Sequence, residues 1–231
     1  MATTIGYDVY GTLIDTRRIA DKLEARLGAQ AEEFARVWRQ KQLEYSFRRG
    51  LMQNYEPFSV CADQAFEYAR AEVGVSLGTE DKKELMSAYR VLPAFEDVEE
   101  GLQRARASGF RMFAFSNGSR EALETLLSNA GVRDYFVDLV SAEEISTFKP
   151  NPGVYSHFLR RADATGSDAW LVSSNPFDVI GAVSAGMKAA WVKRSPEALF
   201  DPWEIEPTIT VENLAELPAN IQPSNYRAEA R

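Results

Sequence analysis

The chain has 231 residues, 45% apolar and 26% charged, a globular balance with room for one large domain or for a core carrying an inserted module. A net charge of −8 and an isoelectric point near 4.9 exclude any general attraction to nucleic acid or a membrane surface, so an anionic ligand needs its own local cation. One cysteine, Cys61, excludes an internal disulfide framework or a multi-cysteine metal site, and without a signal-peptide pattern or a spanning apolar run the expected location is the cytoplasm.

The segment from Thr4 to Tyr10 alternates Ile5, Tyr7 and Val9 with other residues and runs into Gly11-Thr12, which predicts a strand with Asp8 at its carboxyl end. From about Thr16 to Leu92 no strand signal appears. Stretches such as Glu32 to Arg49 and Ala62 to Glu72 carry helical propensity and helical apolar spacing. After Pro93 the pattern alternates. A helix over Val98, Leu102 and Ala105 stops at Gly109, and a strand from Phe110 to Phe115 follows. A helix over Leu123, Leu126, Leu127 and Ala130 then stops at Gly131, before a strand over Val137 to Val140. Asn151-Pro152 and Asn175-Pro176 each place a capping residue before a proline suited to the first helical position, and Gly186 ends the second of these helices. Strands at Trp170 to Val172, Ala189 to Val192 and Thr208 to Val211 complete a set of about six.

The pattern predicts an α/β fold, a doubly wound, Rossmann-like parallel sheet with an inserted helical cap. The core would comprise residues 1–14 and 93–221, the cap 15–92, and a polar tail 222–231. Ligands of such sheets bind beyond the carboxyl ends of the strands, where Asp8, Ser116 and Ser173 fall.

An aspartate in a loop, taken alone, most often caps a turn. Here Asp8-Val9-Tyr10-Gly11-Thr12-Leu13 is followed in order by Ser116-Asn117-Gly118 after a strand, by Lys149-Pro150, and by Asp178 after the strand ending at Val172. This set resembles the four motifs of the haloacid dehalogenase superfamily, in which the first aspartate attacks the substrate and forms an ester. Phosphatases of that superfamily carry a second aspartate two residues after the nucleophile and a metal-binding aspartate in the last motif. Here those positions are Tyr10 and Ser174. Magnesium prefers carboxylate oxygens, whereas a halide leaving group needs neither protonation nor a metal. The departures therefore point from phosphoryl transfer to carbon–halogen cleavage, with no metal and no cofactor.

The run Trp38-Arg39-Gln40-Lys41-Gln42-Leu43-Glu44-Tyr45 further resembles the cap helix of the L-2-haloacid dehalogenases, the type II family, and the likeness extends over nearly the full chain. It implies that Arg39 and Asn117 accept the departing halide, with the ring of Phe177 beside it where many members carry tryptophan. The halide preferred, including any action on fluoride, depends on that ring. Ser116 and the backbone N–H groups of Val9 and Tyr10 would hold the substrate carboxylate. Thr12 would position Asp8, Lys149 would supply positive charge between two anions, and Tyr155 would contact this network. Ser173 and Asn175 would support the loop, and Asp178 would orient or deprotonate the water that hydrolyses the ester. Attack at Cα inverts it, so an (S)-2-haloacid should give an (R)-2-hydroxy acid.

His157, two residues past Tyr155, faces another side of its helix, where a surface or packing role is expected, and Cys61 reads as a packing residue. Two other readings stay open: a magnesium-dependent phosphatase of a small metabolite, and a binding protein that kept the fold without turnover. The expected partners are a small 2-haloacid and halide, with neither nucleic acid nor membrane, and the resemblance implies a homodimer through cap helices.

Overall fold

A computed structural model describes residues 2–221; the expected polar tail at 222–231 lies outside the described residues. Six strands, β1 (Thr4–Tyr7), β2 (Arg111–Ser116), β3 (Asp138–Ser141), β4 (Ala169–Ser173), β5 (Lys188–Val192) and β6 (Ile209–Val211), form one sheet in the order β3-β2-β1-β4-β5-β6. Every pairing is parallel. The chain winds outward from β1 to β3 on one side and from β4 to β6 on the other, so the topological switch lies at β1. The first strand ends at Tyr7 rather than Tyr10. The carbonyl of Val9 accepts the amides of Thr12, Leu13 and Ile14 at 3.3, 2.9 and 3.0 Å, which curls the backbone away from the ladder just after Asp8.

Period-two alternation divides the core. Met112 and Ala114 of β2 face helices α5 (Val98–Ala107) and α6 (Arg120–Asn129). Phe113 and Phe115 face α7 (Pro152–Arg161) and α8 (Pro176–Ser184) on the other side. Gly6 in β1 has a packing reason, because a Cβ there would stand 2.8 Å from the Phe158 ring of α7. Gly109, Gly131 and Gly186 lie two residues past the ends of α5, α6 and α8 with φ of 76°, 73° and 82°, the left-handed conformation that stops a helix.

Between β1 and α5 the described residues hold helices and no strand: α1 (Arg18–Leu27), α2 (Ala31–Met52), α3 (Phe58–Val73) and α4 (Thr79–Ala88). They have their own apolar centre, in which Phe34, Trp38 and Phe66 pack with ring centroids 5.3–6.0 Å apart. Each such burial stabilises by roughly 1.5–3 kcal/mol. The Trp38 indole N–H donates to the Ala62 carbonyl at 2.8 Å, so its polar end is satisfied. The chain leaves and re-enters the core through paired backbone: Asp15 donates to the Pro93 carbonyl at 2.9 Å and Phe95 to that of Leu13 at 3.0 Å. This helical block thereby sits as a cap over the strand ends. No helix among the described residues is long and apolar enough to cross a membrane.

Candidate active site

The Asp8 amide still donates to the Val172 carbonyl at 2.9 Å, which fixes the side chain at the carboxyl end of the central strands. Its two oxygens meet different surroundings. Oδ2 accepts from Asn175 Nδ2 at 2.7 Å, Thr12 Oγ1 at 2.8 Å and Ser173 Oγ at 3.2 Å. Oδ1 accepts from Lys149 Nζ alone among the described residues, at 3.2 Å.

The Lys149 ammonium is buried and uses all three of its protons: on Asp8, on Asp178 Oδ2 at 2.8 Å, and on the Phe115 carbonyl at 2.8 Å. Burial by itself lowers a lysine pKa. Here Asp178 and Asp8 outweigh that effect and hold it above the ordinary value. The other oxygen of Asp178 accepts from the Tyr155 hydroxyl at 2.8 Å. Burial pushes the Asp178 carboxyl up, Lys149 pulls it back, Asp8 adds to the rise, and the result is about 6. Tyr155 is fully buried, and burial together with Asp178 keeps its hydroxyl protonated. Its reach depends on Gly181, where a Cβ would stand 2.3 Å from Tyr155 Oη.

Asn175 corrects one expectation. It precedes Pro176 at the start of α8, but its side chain does not cap the helix. Its main-chain carbonyl takes the amides of Asp178 and Val179 at 3.0 and 3.2 Å, which frees the carboxamide to turn inward onto Asp8. Ser173 likewise bonds Asp8 directly and also accepts the Asn175 amide at 3.1 Å. Ser174 braces the loop that follows Asp8: its amide donates to Thr12 Oγ1 at 2.8 Å and its hydroxyl to the Gly11 carbonyl at 2.7 Å.

The remaining residues singled out in the sequence make no hydrogen bond to the Asp8 carboxylate. Ser116 Oγ, buried at the end of β2, accepts the Gly118 amide at 3.1 Å and keeps its own proton for another acceptor. The Asn117 carboxamide oxygen accepts the Lys149 amide at 2.8 Å, so its N–H₂ end points elsewhere. The side chain of Val9 is in the core, but the amides of Val9 and Tyr10 donate to no other described residue. Arg39, on α2, meets Gln42 Oε1 at 3.5 Å and lines a cleft with Tyr10 between cap and core. The Phe177 ring packs edge-on against Phe47 of α2 with centroids 4.9 Å apart. His157 pairs with Glu144 at 2.9 Å, away from the site, and burial raises the pKa of the Cys61 thiol.

One positioning residue is invisible in the sequence pattern. Arg194, just past β5, donates through Nε and Nη2 to the Thr12 carbonyl at 3.1 and 2.5 Å and through Nη1 to both oxygens of Asp97 at 2.7 and 2.8 Å. It therefore clamps the turn that carries Thr12 and, through it, Asp8. Only Gly181 left a local signal, since an interior helix glycine costs about 1 kcal/mol and calls for a packing reason.

A family model described as haloacid dehalogenase-like hydrolase matches residues 2–186. The (S)-2-haloacid dehalogenase of Pseudomonas fluorescens is 34% identical, over 91% of this chain and 92% of its own length. The (S)-2-haloacid dehalogenase H-109 of Pseudomonas putida is 35% identical, over 92% and 95%. The structure of the L-2-haloacid dehalogenase of Xanthobacter autotrophicus with chloropropionic acid covalently bound superposes with a TM-score of 0.88 at 29% identity, over 95% of this chain and 98% of that one. Likeness of this extent, over both cap and core, places the chain in the haloacid dehalogenase-like hydrolases and, within them, in the L-2-haloacid dehalogenase family.

Proposed function

We propose that this protein removes halide from short (S)-2-haloalkanoic acids, giving (R)-2-hydroxy acids through an ester on Asp8 and without a metal. The observation that carries the reading is the unequal binding of the two Asp8 oxygens. With three donors on Oδ2 and only Lys149 on Oδ1, Oδ1 keeps a lone pair for attack. Ser116 and the amides of Val9 and Tyr10 hold the substrate carboxylate so that Cα faces that oxygen. The C–X electron pair leaves with the halide, which Arg39, Asn117 and the edge of Phe177 receive.

The ester then has Oδ2 as its carbonyl oxygen, already surrounded by Asn175, Thr12 and Ser173. When water adds to Cγ, the negative charge develops on that oxygen, where the three donors stabilise it. Asp178 takes a proton from the attacking water. As the Cγ–Oδ1 bond breaks, its electron pair goes to Oδ1, which takes a proton from the Lys149 ammonium facing it and leaves as the hydroxyl of the product. Lys149 recovers a proton from the carboxylic acid formed at Asp8. Tyr155 holds Asp178 in place. The covalent adduct of the Xanthobacter enzyme supports the ester.

The donor set supports metal independence. Among the described residues no group of three or more His, Cys, Asp and Glu side chains gathers to hold an ion, and the Lys149 ammonium occupies the position between the two carboxylates. The test is halide release from each enantiomer of 2-chloropropionate in excess EDTA, with chiral analysis of the lactate. Release from the (S) form alone, unaffected by EDTA and yielding (R)-lactate, is expected. Magnesium-dependent turnover of a phosphate ester with no halide release would overturn the reading.

The pH profile carries a second expectation. Asp178 must be ionised to accept a proton, so kcat should fall as pH drops through about 6, the value to which burial raises this carboxyl. The same shift opposes stability: between the ordinary carboxylate range and about pH 6 the folded chain binds more protons than the unfolded one, so this group's contribution declines as pH rises across that window. A kcat flat down to pH 4.5 would remove Asp178 from the role of base.

A further inference from the structure

We infer that the cleft between cap and core is a second anion subsite, and that this enzyme takes 2-haloacids bearing a further carboxylate beyond C2, held by Arg90. The inference rests on the dehalogenase reading above and extends it to a substrate class.

The cleft has a volume of about 530 Å³ and is lined by Tyr10 and Arg39, both of which the dehalogenase reading places against the substrate, and by Gly118, two residues past Ser116. At the ~30 Å³ that liquid water occupies per heavy atom, the six non-hydrogen atoms of 2-chloropropionate need no more than roughly 180 Å³. Most of the space is therefore available to a longer substituent on C2. Phe58, Ala62 and Met86 line an apolar stretch suited to methylene groups, and Ser87, Arg90 and the first turn of α6 border the cleft as well.

Arg90 differs from most arginines of this chain. Its side chain is exposed and makes no hydrogen bond or ion pair with another described residue, while its carbonyl is tied to Asn129 Nδ2 of α6 at 2.9 Å. From this anchored backbone the Arg90 side chain lines the cleft. Arg39 is also without a carboxylate partner, and both guanidiniums act on the Tyr10 hydroxyl, opposing the rise that burial causes. This places both cations within electrostatic reach of one cleft residue. Arg120, by contrast, is committed to Asp138 at 2.6 Å and the Leu139 carbonyl at 2.5 Å. The N-terminus of α6 adds partial positive charge, capped by Ser119.

Two carboxylates also line the cleft. Glu121 is exposed on α6, and Glu143 is near Tyr55, whose hydroxyl its charge affects. Neither pairs with Arg90. In a chain of net charge −8, an unpaired guanidinium in a cleft lined by Tyr10, whose amide would hold the first carboxylate, suits a substrate with two.

The test compares kcat/KM for (S)-2-chloropropionate, (S)-2-chlorobutyrate, (S)-2-chlorosuccinate and (S)-2-chloroglutarate in the wild type, Arg90→Gln and Arg90→Lys. For the better of the two diacids, Arg90→Gln should raise KM by roughly 10- to 100-fold while Arg90→Lys restores part of the loss. Both monoacids should stay within about twofold, because a charge at the cleft wall has no second carboxylate to meet. Turnover of the monoacids with none of either diacid would overturn the inference and leave the dehalogenase reading intact. So would an equal effect of Arg90→Gln on monoacids and diacids, which would make Arg90 a general steering charge. Halide release from none of the four would sink both.

Discussion

Asp8→Asn is expected to release halide at a rate lower by on the order of 10⁴-fold or more, the scale on which removal of a covalent nucleophile acts. The fold should tolerate the change. The carboxamide can direct its oxygen at Asn175, Thr12 and Ser173, although its N–H₂ end then faces the Lys149 ammonium, donor against donor. Quenching the wild-type enzyme during turnover of 2-chloropropionate and weighing the peptide that contains Asp8 should reveal the ester, and Asp178→Asn should accumulate it by slowing the second step. Undiminished halide release from Asp8→Asn, with the asparagine verified intact by mass, would assign the attack to water or to another residue.

Lys149→Met carries the largest combined effect. The substitution preserves an unbranched apolar stem in a buried position but leaves Asp8 Oδ1, Asp178 Oδ2 and the Phe115 carbonyl without their shared donor. Breaking a buried pair from one side costs ~3–5 kcal/mol. At the ~2–4 °C per kcal/mol typical of a chain this size, the melting temperature should fall by roughly 6–20 °C. Turnover should be lost with it, because the substrate carboxylate would approach Asp8 with no cation between them.

The pH dependence of that loss identifies its cause. Without Lys149, the Asp178 carboxyl should rise beyond about 6, so the deficit is full at neutral pH and shrinks as the carboxyl takes up a proton at lower pH. The wild-type ammonium acts at the other end of the scale. Its folded pKa lies above the unfolded value, so its contribution is complete below the unfolded lysine pKa and disappears as pH rises through the folded one. Thermal unfolding of both proteins from pH 5 to pH 9 checks the Asp178 part, and extending the wild-type series to pH 11 checks the lysine part. A deficit independent of pH would mean that lost packing, not uncompensated charge, destabilises the variant.

The βα alternation, the helical block between Thr16 and Leu92, the helix stops at Gly109, Gly131 and Gly186, and the place of Asp8 at the carboxyl end of the first strand are legible in the order of residues. These are local properties. Each depends on residues two to four positions apart, whose propensities and apolar spacing can be read along the chain. The resemblance named the polar residues around Asp8, and their ordered spacing made it specific.

How those residues divide their bonds depends on the folded arrangement. The contacts that distinguish Oδ1 from Oδ2 cross long stretches of chain, 141 residues from Asp8 to Lys149 and 167 to Asn175. Asn175 shows the limit most clearly. Its position before Pro176 favours a cap, yet a buried carboxylate that needs donors outweighs one helix amide that the backbone can satisfy. The Arg194 clamp on Thr12 and the cleft that places Arg90 near Tyr10 are of the same kind. Both arise where separate elements meet, and a charge acts through space on whatever the fold brings near it.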